Sequence, residues 1–118
     1  MAIKTIGVIG AGTMGNGIAQ VCAVAGLDVV MVDISAEAVQ RGLGVVAGSL
    51  DRLLKKEKIT QADRDAAVAR IRGSTAYADL AGADLVIEAA TENESLKLRI
   101  LKEIDAIVAP TAVIASNT

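Results

Sequence analysis

A doubly wound α/β sheet is the fold class the sequence predicts, and three observations predict it. Short apolar runs at residues 3–9, 28–33, 84–89 and 112–116 have strand length and alternate with stretches of helical periodicity. The first two runs, with a helix pattern between them, fit within 33 residues, the length of a right-handed βαβ unit with parallel strands. Glycines cluster directly after the first run, where the strand must turn sharply into its helix.

Each element has its own reason. Residues 3–9 (IKTIGVI) are β-branched and bounded by glycine, as befits a strand buried on both faces. From about Gly15 to Ala25, the residues Ile18, Ala19, Val21, Cys22 and Ala25 fall at helical spacing, and Gly26 supplies the stop. Residues 28–33 (DVVMVD) form the second strand and end in an acid. Ser35 caps a helix with Glu37 in its first turn, and that pattern runs to about Glu57. Thr60–Asp63 (TQAD) reads as a capping box with the shorter acid, opening a helix that ends near Ile71.

This helical pair is far longer than the crossover of about a dozen residues that a βαβ unit needs, so it is expected to protrude from the sheet. Gly42, Gly44 and Gly48 weaken its first helix by up to about 1 kcal/mol each relative to alanine, which close packing or a bend accounts for. A weaker strand near Ile71–Thr75 follows. Residues 84–89 (DLVIEA) and 112–116 (AVIAS) supply two more, separated by a helix from Ser95 to about Val108 and a break at Pro110.

Composition narrows the function classes. The chain has 118 residues, 53% of them hydrophobic and 22% charged, with one proline, which favours one packed domain over a disordered chain. Tyr77 is the only aromatic residue, so Ala, Val, Ile and Leu must build the core, and stacking of a ligand base on a ring is not expected. A net charge of −2 without a basic run lacks the footprint of a nucleic-acid binder. The amino-terminal run contains Lys4 and is too short for a signal segment, and no apolar stretch reaches membrane-spanning length, so a cytoplasmic protein without membrane contact is expected. Cys22 has no second cysteine to pair with and lies in an Ala/Val/Ile pattern, as a structural thiol does.

GAGTMG, Gly10–Gly15, fits the pattern GxGxxG between a strand and a helix. Gly10 permits the tight turn, Gly12 lets the backbone approach a pyrophosphate, and Gly15 lets the helix lie close to the strand. The helix start then favours phosphate charge. Asp33 ends the second strand 18 residues past Gly15, near the offset of about 20 at which a dinucleotide fold places its ribose-binding acid. A carboxylate there accepts from ribose hydroxyls and repels a 2′-phosphate, which points to NAD rather than NADP. The cofactor-binding set of the loop is Gly10, Gly12, Thr13, Met14 and Gly15, with Asp33.

Together GAGTMGNGIAQ, Asp33, the helical pair and IEAATEN (Ile87–Asn93) resemble the 3-hydroxyacyl-CoA dehydrogenases, including the bacterial 3-hydroxybutyryl-CoA dehydrogenases. The resemblance covers essentially the whole chain, and SLDRLLKKEK, EAATEN and the terminal ASNT make it more specific than the glycine motif alone. It implies a Rossmann-like NAD-binding domain over residues 1–118, followed in the intact enzyme by a helical domain that completes the active site and mediates homodimerisation. It further implies that Glu92 contacts the nicotinamide side of the cofactor, with Lys97 in the following helix. Without it, Glu92 reads as a helix-start acid and Lys97 as part of a solvated helix face.

The same resemblance assigns Ser49 and Lys56 to coenzyme A. They are seven residues apart and share a helix face, and Lys55 and Lys58 add positive charge that Glu57 partly offsets. Read alone, KKEK is a solvated helix end. The family uses a histidine, oriented by a glutamate, as general base, and the sequence has no histidine. SNT matches the start of the family's SNTS segment, so the chain reads as the cofactor half of an oxidoreductase for acyl-CoA substrates. By itself it is expected to bind NAD weakly and catalyse nothing. Two alternatives stay open: an NAD-sensing module without chemistry, and a dehydrogenase for another β-hydroxy acid.

Overall fold

The computed structural model describes residues 3–89, 94–108 and 112–116. Five strands lie in one parallel sheet: β1 (Thr5–Ile9), β2 (Asp28–Val32), β3 (Ile71–Ser74), β4 (Leu85–Glu88) and β5 (Val113–Ser116). Their order is β3-β2-β1-β4-β5. The chain builds outward from β1 in one direction and then returns to its other side with β4, so the strand order reverses between β1 and β4. A reversal of this kind opens a crevice beyond the carboxyl ends of the strands.

The helices are α1 (Thr13–Val24), α2 (Ala36–Lys55), α3 (Gln61–Arg70) and α4 (Glu94–Ile107), with a 3-10 turn at Tyr77–Leu80. Alternation along the strands divides the core in two. Ile6, Val8, Val29 and Met31 face Ala19 and Ala23 of α1, Val46 and Leu50 of α2, and Ala67 of α3. Ile9, Val32 and Val86 face Leu80 in the turn and Ile100 and Ile104 of α4. In the absence of large rings, alanines at 0% exposure bring α1 close onto the sheet. Cys22 is half-buried beside this cluster, and burial pushes its thiol pKa up, as a structural thiol requires.

Helix α1 starts at Thr13, inside the glycine motif and two residues before the expected Gly15, because Gly12 serves as its N-cap. Gly26, at φ 98°, ends it: Gly26 N–H donates to Ala23 O and Leu27 N–H to Cys22 O. Helix α2 is capped by the Ser35 side chain, which accepts from Ala38 N–H at 3.2 Å. The capping box of α3 is complete, with Thr60 Oγ1 accepting from Asp63 N–H at 3.1 Å and Asp63 Oδ2 accepting from Thr60 N–H at 3.2 Å.

Twenty residues make α2 about 30 Å long, against about 17 Å for a five-residue strand, so the helical pair overruns the sheet. Its inner stripe of Val39, Gly42, Val46 and Leu50 is nonetheless buried. Gly42 bears out close packing, since a Cβ there would lie 2.7 Å from Ala11 O and 3.0 Å from Met31 Cε. Gly44 meets nothing within 4 Å and Gly48 touches only an Arg52 nitrogen at 3.8 Å, so packing does not explain those two.

At the opposite end of the sheet, Asp84 Oδ2 accepts from Lys4 N–H at 2.9 Å and Thr5 N–H at 3.0 Å, tying the entry of β4 to that of β1. These two hydrogen bonds, from Lys4 and then Thr5, hold the Asp84 carboxyl below the usual carboxylate range.

Candidate functional site

The glycine loop is held by backbone on one side and by a carboxylate on the other. Gly10 takes φ 106°, a conformation that side chains disfavour, and its N–H donates to Val32 O at 2.7 Å. Ala11 N–H donates to Asp33 Oδ2 at 3.1 Å, and Ser35 N–H donates to Asp33 Oδ1 at 3.0 Å. One side chain at the end of β2 therefore ties the loop after β1 to the start of α2. A carboxylate offers about four acceptor positions, so two backbone donors leave it capacity for hydroxyls.

Two glycines of the motif answer to different neighbours. A Cβ on Gly15 would collide with the carbonyl oxygen of Gly10, so its absence is a packing requirement of the chain itself. A Cβ on Gly12 would meet nothing within 4 Å. Gly12 has an ordinary extended backbone at φ −72° and ψ −169° and, as the N-cap, brings no side chain to α1. The bare backbone there leaves open space at a helix start whose N–H groups and dipole favour an anion. Thr13 and Met14 are exposed on the same first turn.

Hollows flank the loop. One of about 180 Å³ is lined by Ile9, Gly10, Asp33, Ile34, Tyr77, Leu96 and Ile100. Another, of about 200 Å³, runs between the loop and α2, lined by Ala11, Gly12, Thr13, Asn16, Ala38, Arg41, Gly42 and Val45. The sequence did not lead us to expect a ring near a ligand, yet its one aromatic residue lines the first hollow beside Asp33. Burial pushes the Tyr77 phenol pKa up, and the carboxylates of Glu103, Asp33 and Glu88 act the same way.

Lys97 lies in the first turn of α4, but not on a solvated face. It is 7% exposed, and its Nζ lies 3.7 Å from Glu88 Oε1. Glu88 ends β4, is wholly buried, and stands beside Ile9 in the sheet register. The sequence analysis names Glu92 and not Glu88; the available signal is an acid inside an apolar strand, which must be paired when buried. Glu92 lies outside the described residues, as do Asn117 and Thr118.

The coenzyme A candidates stand apart from the loop. Ser49 is half-buried two turns beyond Gly42, and Lys56 is exposed at the C-cap of α2, roughly 10 Å further along the axis. Neither lines the hollows at the loop. Lys55, Glu57 and Lys58 are exposed with Lys56. Among the described residues no helix is long and apolar enough to cross a membrane, and no acidic or sulfur cluster could hold a metal ion.

The open cradle at Gly12, the helix start behind it and the acid at Asp33 fit a dinucleotide. Comparison with known proteins agrees. The family described as 3-hydroxyacyl-CoA dehydrogenase, NAD binding domain, matches residues 5–118. A 3-hydroxybutyryl-CoA dehydrogenase of Bradyrhizobium diazoefficiens is 46% identical over 98% of this chain and 40% of its own length. The crystal structure of (S)-3-hydroxybutyryl-CoA dehydrogenase PaaH1 from Ralstonia eutropha superposes with a TM-score of 0.96 at 66% identity, over 99% of this chain and 41% of that one. FadB2 of M. tuberculosis superposes with a TM-score of 0.97 at 40% identity, over 100% of this chain and 42% of that one. The chain thus spans about two-fifths of the length of these relatives. It belongs to the NAD-binding domain family of the 3-hydroxyacyl-CoA dehydrogenases.

Proposed function

We propose that the chain is the NAD-holding domain of an oxidoreductase that interconverts 3-hydroxyacyl-CoA and 3-oxoacyl-CoA, with the short-chain 3-hydroxybutyryl-CoA as substrate. The observation that carries this reading is the contrast within the glycine motif. A Cβ on Gly15 would strike the Gly10 carbonyl, whereas one on Gly12 would meet nothing within 4 Å, which leaves room for a phosphate. When bound, the nicotinamide supplies hydride exchange with C3 of the acyl chain.

The chain's own residues bind and orient. Gly10, Gly12, Thr13, Met14 and Gly15 form the pyrophosphate cradle, and Asp33 accepts from the adenosine ribose. Glu92 and Lys97 serve the nicotinamide side, Lys97 with its amine held by Glu88. Ser49 donates or accepts a hydrogen bond to coenzyme A, and Lys56 attracts its phosphates. The reaction also needs a base within hydrogen-bond reach of the substrate hydroxyl, and the sequence contains no histidine to serve. In this reading residues 1–118 are one domain, and the base belongs to a helical domain that also makes the homodimer. The enzyme works in the cytoplasm on acyl-CoA, without nucleic acid or membrane as partner.

Calorimetric titration of the chain with NADH, NADPH and acetoacetyl-CoA tests this. NADH is expected to bind, NADPH more weakly, and acetoacetyl-CoA with an affinity that falls in the Ser49→Ala, Lys56→Ala double variant. Unchanged acyl-CoA affinity in that variant removes the substrate assignment. Dinucleotide binding with no acyl-CoA binding favours a sensing module. Reduction of acetoacetyl-CoA by the purified chain contradicts the placement of the base elsewhere.

A further inference from the structure

We infer that Tyr77 forms the aromatic wall of the adenine subsite and that its ring is covered by the base when dinucleotide binds. This rests on the reading of the chain as an NAD domain.

The hollow that Tyr77 lines shares Gly10 and Asp33 with the cofactor loop, so it begins where the adenosine ribose must be held. The base attached to that ribose has to lie within about one ring of Asp33. At about 180 Å³ the hollow is smaller than the ~300–1,000 Å³ of sites that engulf a whole drug-sized ligand, and suits one flat ring system. Among the described residues its other walls are Ile9, Ile34, Leu96 and Ile100. Ile34 is 82% exposed and Leu96 43%, so apolar surface stands open at the rim where a ring would cover it.

Among the described residues, the polar side chains of the lining are those of Asp33 and Tyr77. Asp33 already accepts from two backbone donors and faces the ribose. These walls hold the base by shape and by a π-face, and a stacked base is worth about 1–3 kcal/mol on an aromatic residue. A phenol is neutral at pH 7 with its ordinary pKa of about 10, and burial and nearby carboxylates push that of Tyr77 further up, so it adds no negative charge beside the diphosphate.

The composition makes the test unusually clean, because the chain has one tyrosine and neither tryptophan nor phenylalanine. All of its aromatic emission comes from Tyr77. The chain is titrated with NAD⁺, with ADP-ribose (adenine without nicotinamide) and with nicotinamide mononucleotide (no adenine), following heat and, after correction for nucleotide absorbance, tyrosine emission.

NAD⁺ and ADP-ribose are expected to change the emission with the same midpoint as the heat, and nicotinamide mononucleotide to leave it unaltered. Tyr77→Leu should weaken ADP-ribose binding roughly tenfold, the equivalent of about 1.4 kcal/mol, and Tyr77→Phe should restore most of it. Heat on adding NAD⁺ with no change in emission overturns the inference while leaving the cofactor reading intact. So does unchanged ADP-ribose affinity in a folded Tyr77→Leu variant. Absence of heat with NAD⁺ overturns both. Because the emission experiment uses the unaltered chain, a variant that fails to fold does not remove the test.

Discussion

Lys97 Nζ lies 3.7 Å from Glu88 Oε1, joining the first turn of α4 to the last residue of β4 where the lysine is 7% exposed and the glutamate is wholly buried. A buried pair gains little over apolar residues of similar volume, yet removing one partner takes away compensation from a buried charge and costs up to about 3–5 kcal/mol. Its value here is positional, because it fixes an amine at the carboxyl end of the sheet beside the crevice. Glu88→Ala is expected to lower unfolding free energy by about 3 kcal/mol in urea titrations. The Glu88→Met, Lys97→Met double variant should recover most of that loss and still bind NADH poorly. A double variant as unstable as the single one contradicts the pairing, and one that binds NADH normally removes Lys97 from the cofactor site.

In the proposed reading the glycine motif separates into a folding position and a ligand position. Gly15→Ala drives a Cβ into the Gly10 carbonyl and should cost about 3 kcal/mol or more, since backbone cannot step aside as a flexible side chain does. Gly12→Ala meets open space and needs no unusual backbone angle, so its stability should stay within about 1 kcal/mol of the parent. Its NADH affinity should nevertheless fall by about tenfold or more, a loss of about 1.4 kcal/mol. Thermal melts and calorimetry on both variants check the split. A Gly12→Ala chain that binds NADH like the parent contradicts the phosphate cradle.

Most elements were legible because their signals are local. The Ser35 cap, the Thr60–Asp63 box and the Gly26 stop each act within a few residues, and the structure places them where the pattern did. Tyr77 was not legible, because its neighbours Asp33 and Ile100 come from two other elements and only the sheet order brings them together. Lys97 looked like a solvated face for the same reason: its partner sits on β4, and periodicity within α4 says nothing of a charge buried opposite it. Gly12 and Gly15 are identical letters in the motif, and only packing tells which one serves the chain and which one leaves room for something else.

Stability at low pH should carry the mark of Asp84. Its folded carboxyl is held below the ordinary value by two backbone donors, so the unfolded chain binds more protons than the folded one in the interval between the two. The stabilisation is then fully present above the unfolded value, about 3.9, and is lost as pH falls through the folded one. Asp84→Asn should flatten the fall of stability with acidity below about pH 4. Urea titrations across that range compare the slopes. Equal slopes for parent and variant contradict the linkage.

Asp33 should set the choice between the two dinucleotides through charge as well as hydrogen bonds. Its carboxylate is already oriented by Ala11 and Ser35 N–H groups, which cuts the ordering cost of accepting from the ribose. Hydrogen bonds to a charged acceptor contribute about 1.5–3 kcal/mol, so Asp33→Asn should weaken NADH roughly tenfold or more. The same change removes the repulsion of a 2′-phosphate, so NADPH should weaken less or gain, and the preference for NADH should shrink by at least about tenfold. Salt distinguishes the two contributions. Raising ionic strength screens the repulsion, so the parent's discrimination against NADPH should narrow from low salt to about 0.5 M, while that of Asp33→Asn should stay nearly flat. A variant whose NADH-to-NADPH ratio matches the parent's at both salt concentrations contradicts the role of Asp33 at the ribose.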